Sequence, residues 1–208
     1  LIEELIRELK PVRRLQSPFK RMTRFMAVAM FCFLGALSIL GIREDLYEVF
    51  SRPAFLLQAI LLFTLTILSS LSALILSVPG EERSLVVRWI SILIFLFWAA
   101  TLGSLLFFIG DAAGPLGHGF NCIRDIMVFG SLPGVVLFIM VRKAAIFKFG
   151  WSGALLLLSV ASLGALGTQF VCRNDSPLHL LVWHFLPVAI AGLIGIFLGK
   201  FLIRKIIK

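Results

Sequence analysis

Charged side chains almost vanish from six stretches of this chain: Phe25–Ile42, Ala54–Val78, Trp89–Gly110, Ile126–Val141, Trp151–Val171 and Leu180–Ile203. A helix needs about 20 apolar residues to cross a bilayer core. The pattern therefore predicts an all-α, polytopic membrane protein, a bundle of six transmembrane helices over residues 25–208. The fourth stretch is the shortest and draws on its flanks, while the second is long enough to tilt. Pro133 and Pro187 fall inside spans four and six and predict kinks whose freed backbone groups neighbouring helices must satisfy. Gly195-x3-Gly199 is a close-packing signal in span six, although such spacings are common in glycine-rich spans. Residues 1–24 read differently. Leu1, Ile2, Leu5, Ile6 and Leu9 share one helical face, with Glu3, Glu4, Arg7, Glu8 and Lys10 opposite, until Pro11 ends the pattern. This is a short amphipathic helix on a polar N-terminal segment.

Composition agrees with the membrane reading. The 208 residues are 60% hydrophobic with mean hydropathy +1.03, above the 45–50% or so typical of soluble domains. The net charge of +9 raises nucleic-acid binding, but its distribution argues otherwise. Sixteen of the 20 Lys and Arg residues fall on the side that holds both termini, leaving Arg43, Arg52, Arg124 and Arg173 on the other. Short loops obey the positive-inside rule, so both termini are expected in the cytoplasm. The basic excess is then a topology signal facing the lipid bilayer, with no direct nucleic-acid contact implied. The N-terminal helix could lie on the membrane or in a partner's groove. Glu3, Glu4 and Glu8 tilt it toward a protein partner, because anionic lipids favour Lys and Arg.

The same threading puts the chemistry-bearing residues on the opposite, non-cytoplasmic side. His118, Cys122, Cys172, Asp175, His179 and His184 lie in or near two short connections there. Thiols and imidazoles bind soft metals and respond to oxidants. His118-x3-Cys122 and His179-x4-His184 resemble ligand spacing, but ligands split over two loops form a weak pattern. A plain structural disulfide between Cys122 and Cys172 is an equal reading, feasible if spans four and five are neighbours. His184, just inside span six, reads on its own as a structural histidine, and Cys32 as a small buried apolar residue. Gln58, Gln169 and His184 are nearly all the polarity within the spans, and Asp and Glu are absent there. That argues against a transporter or channel and leaves no site for a small-molecule substrate. No C-x-x-C, H-E-x-x-H, G-x-S-x-G or phosphate loop is present, so an enzyme is not expected. No resident cofactor is expected beyond transient heavy-metal binding.

The order of these features resembles the NrsF family. Leu5-x3-Leu9-x-Pro11-Val12-x-Arg14-Leu15 opens the chain and Ser77-Val78-Pro79-Gly80 closes span two. Cys122 precedes a span carrying Pro133, and Arg142-Lys143-Ala144 follows it. Cys172-x2-Asp175-Ser176-x2-His179 and Trp183-His184-x2-Pro187 are the most specific part. The resemblance covers nearly the whole chain. It implies a bacterial inner-membrane anti-sigma factor that holds a sigma factor of the extracytoplasmic-function type. Leu1, Leu5, Leu9, Pro11, Val12, Arg14 and Leu15 would contact that partner. Metal or oxidant stress in the periplasm would be read through Cys122 and Cys172, with His118, His179, His184 and Asp175 as neighbours. The competing classes are a small transporter or channel and a structural membrane protein with a fixed periplasmic disulfide.

Overall fold

The computed structural model describes residues 16–78, 85–110, 119–144 and 149–203. Among the described residues it is all helical, with no strand. Helix α1 is Pro18–Leu40, α2 is the short Leu46–Phe50, α3 is Pro53–Ile75, α4 is Leu85–Ile109, α5 is Gly119–Arg142 and α6 is Phe149–Gln169. Helix α7 starts at Pro177 and runs to Ile203. It is α-helical over Pro177–His179 and Leu186–Leu198, and π-helical over Leu180–Phe185 and Gly199–Ile203. All but α2 are long and apolar enough to cross a membrane, as the hydropathy pattern predicts.

The helix ends differ from the apolar runs for local reasons. Ser17 caps α1, its hydroxyl accepting from the Lys20 amide at 3.4 Å, and Pro18 supplies the preorganised first turn. The helix therefore begins seven residues ahead of its apolar run, and Lys20, Arg21 and Arg24 lie on α1. Helix α5 likewise starts at Gly119, which places Cys122 on its first turn and not ahead of it. The longer helix also takes in Asp125, which is buried and paired with Arg124 at 2.8 Å. The expectation that the spans hold no acid is corrected on this point, because the helix begins seven residues ahead of the apolar run that starts at Ile126.

Helices alternate in direction, so the bundle has a proximal end, where α1 begins, and a distal end, where it finishes. Helix α6 is the central element: 72% of its apolar window is buried, against 17% for α4. Glycine, alanine and serine along α6 let α3, α5 and α7 approach its backbone. A Cβ at Gly195 would overlap the Gly153 carbonyl, and one at Gly153 would overlap Gly195 in return. The Gly195-x3-Gly199 spacing is thus a helix crossing in this chain. Hydroxyls tie α3 to α6: Thr66 and Ser162 lie 3.0 Å apart, and Ser159 donates to the Thr66 carbonyl at 3.1 Å. At the proximal end the buried Arg21 of α1 donates to the Ser77 hydroxyl at 3.1 Å and to the Met140 carbonyl of α5.

Candidate functional site

The distal end is ordered around the turn between α6 and α7. The Cys172 amide donates to the Thr168 carbonyl at 2.7 Å, closing α6. Asn174 then accepts from the Ser176 amide at 3.0 Å, and Ser176 caps α7 by accepting from the His179 amide at 3.2 Å. These are the local bonds that Asn and Ser make at turns and helix starts. Phe170, packed among Phe33, Phe50 and Phe55, holds the turn from below. Its carbonyl accepts from the Arg43 amide at 2.9 Å, which joins this turn to the one after α1.

Asp175 belongs to that junction. Arg43 donates to both Asp175 oxygens at 2.8 and 2.9 Å and to Asp45 at 2.7 and 2.8 Å. Its side chain is 1% exposed and its guanidinium lies 6.0 Å from the Phe55 ring centroid. The Asp45 bonds, joined by those to Asp175, push the Arg43 pKa up despite burial. The same bonds hold Asp45 at about 2. Arg52 adds a looser contact to Asp175 at 3.3 Å.

Cys122, Cys172, His179 and His184 form the centre. Cys122 Sγ lies 3.5 Å from Cys172 Sγ and 3.4 Å from His179 Nε2, and Cys172 Sγ lies 3.5 Å from that nitrogen. His184 stands beside His179, ring centroids 5.6 Å apart. One donor atom from each of the four residues fits within 4.8 Å of all the others. Cys122, His179 and His184 are buried and Cys172 is half-buried. The two cysteines are separate thiols.

The π-helical turn explains how the two histidines meet. On an α-helix of 3.6 residues per turn, side chains five apart point about 140° away from each other. In a π turn the backbone bonds run from i to i+5, so residues five apart return to one face. The π segment ends just before Pro187, whose missing N–H already prevents regular bonding there. Above it, Trp183 covers the start of α5, packing on Phe120 with ring centroids 5.2 Å apart. Gly119 makes room, since a Cβ there would overlap the indole. The sequence signal for this was His179-x4-His184 followed by Pro187. The sequence reading counted His184 among the candidate residues but took it on its own as a structural histidine; the structure seats it in the cluster.

The donor set fits a thiophilic cation. A tetrahedral ion with sulfur at about 2.3 Å and nitrogen at about 2.0–2.1 Å separates its ligands by roughly 3.3–3.8 Å. The three spacings among Cys122, Cys172 and His179, 3.4–3.5 Å, fall in that range, and a His184 ring nitrogen lies within 4.8 Å of the other donors. His179 Nδ1 and both His184 ring nitrogens lack a hydrogen-bond partner within the protein, which is costly for buried polar atoms unless they ligate or meet solvent. Cys172 has its pKa lowered because the Cys122 thiol donates to it, with His179 and His184 adding to the effect. A thiolate is the form that binds metal and reacts with oxidants. Two thiolates with two imidazoles suit zinc, copper(I) and similar soft ions.

Of the residues singled out from the sequence, four converge here, and Asp175 is held by Arg43 instead. Cys32 sits on α1, away from the cluster. His118, Leu1, Leu5, Leu9, Pro11, Val12, Arg14 and Leu15 lie outside the described residues. The sequence reading missed the Arg43 junction, whose signal was a lone Arg-x-Asp beside a span end. A family model described as NrsF, negative regulator of sigma F, matches residues 5–204. No curated protein and no solved structure matches the chain.

Proposed function

The chain belongs to the NrsF family of negative regulators of sigma F, and on that premise we propose that it is a membrane-bound anti-sigma factor gated by its distal thiol–imidazole cluster. Residues 1–15 hold a sigma factor of the extracytoplasmic-function type against the cytoplasmic face of the inner membrane. The distal end faces the periplasm, as the positive-inside distribution favours. Its role is binding and release, with no catalysed reaction. The observation that carries the sensing half is the convergence of Cys122, Cys172, His179 and His184 within 4.8 Å.

Occupation of the cluster by a soft metal would pull α5, the α6–α7 turn and α7 onto one centre. An oxidant accepting two electrons would instead join the two sulfurs as a disulfide, with loss of two protons. Either event strains the Arg43 junction at the end of α1 and bears on α5, whose far end reaches Arg21 through Met140. Arg21 lies near the start of α1, next to the sigma-holding segment. Driving a two-state equilibrium from 1:99 to 99:1 takes about 5.5 kcal/mol of differential binding. Structural zinc sites reach roughly 10–16 kcal/mol, so thiolate ligation has enough strength.

Thiol labelling in whole cells tests the reading. Free thiols before stress, protected by metal or oxidised after it, are the expected result. Cysteines already joined in resting cells, and unchanged by stress, would make the pair structural.

A further inference from the structure

Beside the cluster lies a cavity of about 330 Å³ between α3, α4, α7 and the turn after α6. It touches Cys172 and His184, half of the cluster. Its rim carries Arg52, Asn174 and Asp175, and Leu105 of α4 forms one wall. Gln58 and Gln169 also line it, the Gln169 amide donating to Gln58 Oε1 at 3.3 Å.

Two facts about its walls indicate what fills it. Gln169 Oε1 and both His184 ring nitrogens are buried without a partner in the protein. An acyl chain would leave them buried and unsatisfied, whereas water or a hydrated ion satisfies them. One water needs only about 10–15 Å³ of such space, so the cavity admits an ion with part of its hydration shell. The larger grooves, about 560 Å³ beside Trp89 and Trp151 and about 610 Å³ beside Met127 and Val135, are lined almost wholly by apolar residues. They suit lipid, and they touch neither cysteine.

We propose that this cavity, apolar in most of its lining but carrying buried polar groups, is the route by which a small, hydrated, thiophilic cation reaches the cluster, arriving first at Cys172 and His184. The proposal rests on the metal-sensing reading above. Large chelates would be excluded by size, and one unpartnered ring nitrogen of His184 would replace a water of the ion as it moves inward.

The test uses the purified full-length chain in detergent with cadmium ion as probe. Growth of the cadmium–thiolate charge-transfer band is followed by stopped flow. Leu105→Trp narrows the cavity without touching a ligand, and Leu105→Ala widens it. The expected result is binding slowed at least about tenfold by tryptophan and accelerated by alanine. Affinity at equilibrium should stay within about twofold, because a barrier on the path alters on- and off-rates together. A wild-type band growing at the same rate in both variants would overturn the entrance and leave the sensing reading standing. Absence of the band in the wild type would remove the sensing reading, and the entrance with it. Leu193→Trp, which fills the apolar groove beside Trp89, should leave the rate unchanged, and slowing there would also overturn the route.

Discussion

Arg43 and Asp175 stand 132 positions apart in the chain and share two hydrogen bonds, of 2.8 and 2.9 Å. The pair fastens the end of α1 to the turn that carries Cys172. The Arg43 side chain is 1% exposed, and Asp175 is 31% exposed. Removing one partner of a buried pair costs about 3–5 kcal/mol. Asp45 remains to Arg43 and Asp175 is partly solvated, so Asp175→Ala is expected to cost about 2 kcal/mol, between the buried-pair and exposed-pair ranges. Arg52→Ala, which breaks only an exposed 3.3 Å contact, should cost well under about 1 kcal/mol. Thermal unfolding of the two variants in detergent measures the difference. Equal midpoints would show that the junction does not hold the distal end together.

The histidines carry the second prediction. If His184 is a ligand, His184→Ala should weaken cadmium binding at least about a hundredfold, since loss of outer-shell partners alone costs 10–100-fold. Cys122→Ser and Cys172→Ser should each abolish induction of a sigma-dependent reporter by metal while leaving basal repression intact. Induction persisting in the double cysteine variant would move sensing to another part of the molecule.

The six crossings were legible because each is a nearly uninterrupted apolar run, and the bilayer requirement leaves few other structures. The helix ends were less so, because capping by Ser17 and the extension of α5 back to Gly119 depend on local bonds that hydropathy does not see. The cluster was half legible. Cys122 and Cys172 fall at matching depth from topology alone, but joining His184 to them takes a π-helical turn, and helical periodicity assigns that residue the wrong face. The Arg43 junction was invisible for another reason. Which arginine meets which aspartate across 132 positions is set by tertiary packing, and no spacing rule reports it.

Acid should loosen the distal end through Asp45. Its bonds to Arg43 lower its pKa from the ordinary 3.8 to about 2, so the folded state favours the carboxylate. The stabilisation is fully present above about 3.8 and is lost as the pH falls toward 2, because the carboxyl then takes up its proton in both states. Arg43, its pKa raised, stays charged throughout. Asp45→Asn should therefore unfold more readily than the wild type at pH 7, with the two midpoints converging below pH 4. A constant gap over that range would show that the pair does not feel the titration.

Helix crossing at the proximal end gives a contrast within one helix. A side chain at Gly195 would run into the backbone of Gly153 and Ala154, which cannot yield as a flexible side chain can. At Gly192 the added methyl would meet only Leu158 Cδ1 at 3.7 Å, an ordinary contact. Gly195→Leu is expected to destabilise by more than the roughly 1–3 kcal/mol usual for overpacking, and Gly192→Ala should be close to neutral. Expression and thermal unfolding in detergent separate the two. Similar behaviour would mean that α6 and α7 do not cross as closely as described.

In the proposed mechanism the output end is the N-terminal segment, whose sequence in residues 1–10 has an amphipathic pattern. An apolar face seated in a partner's groove depends on a few anchors at helical spacing, and here those are Leu5 and Leu9. Replacing both with aspartate removes the apolar contacts while leaving the six spans and the distal cluster untouched. The sigma factor should then be released without any stress, so that a reporter under its control runs at the induced level in unstressed cells. Membrane insertion, read by fractionation, should not change. Single substitutions should give intermediate release, because two anchors of about 1–2 kcal/mol each act on one binding equilibrium. Full repression retained by the double variant would place the sigma-holding surface elsewhere on the cytoplasmic side and remove the N-terminal segment from the mechanism.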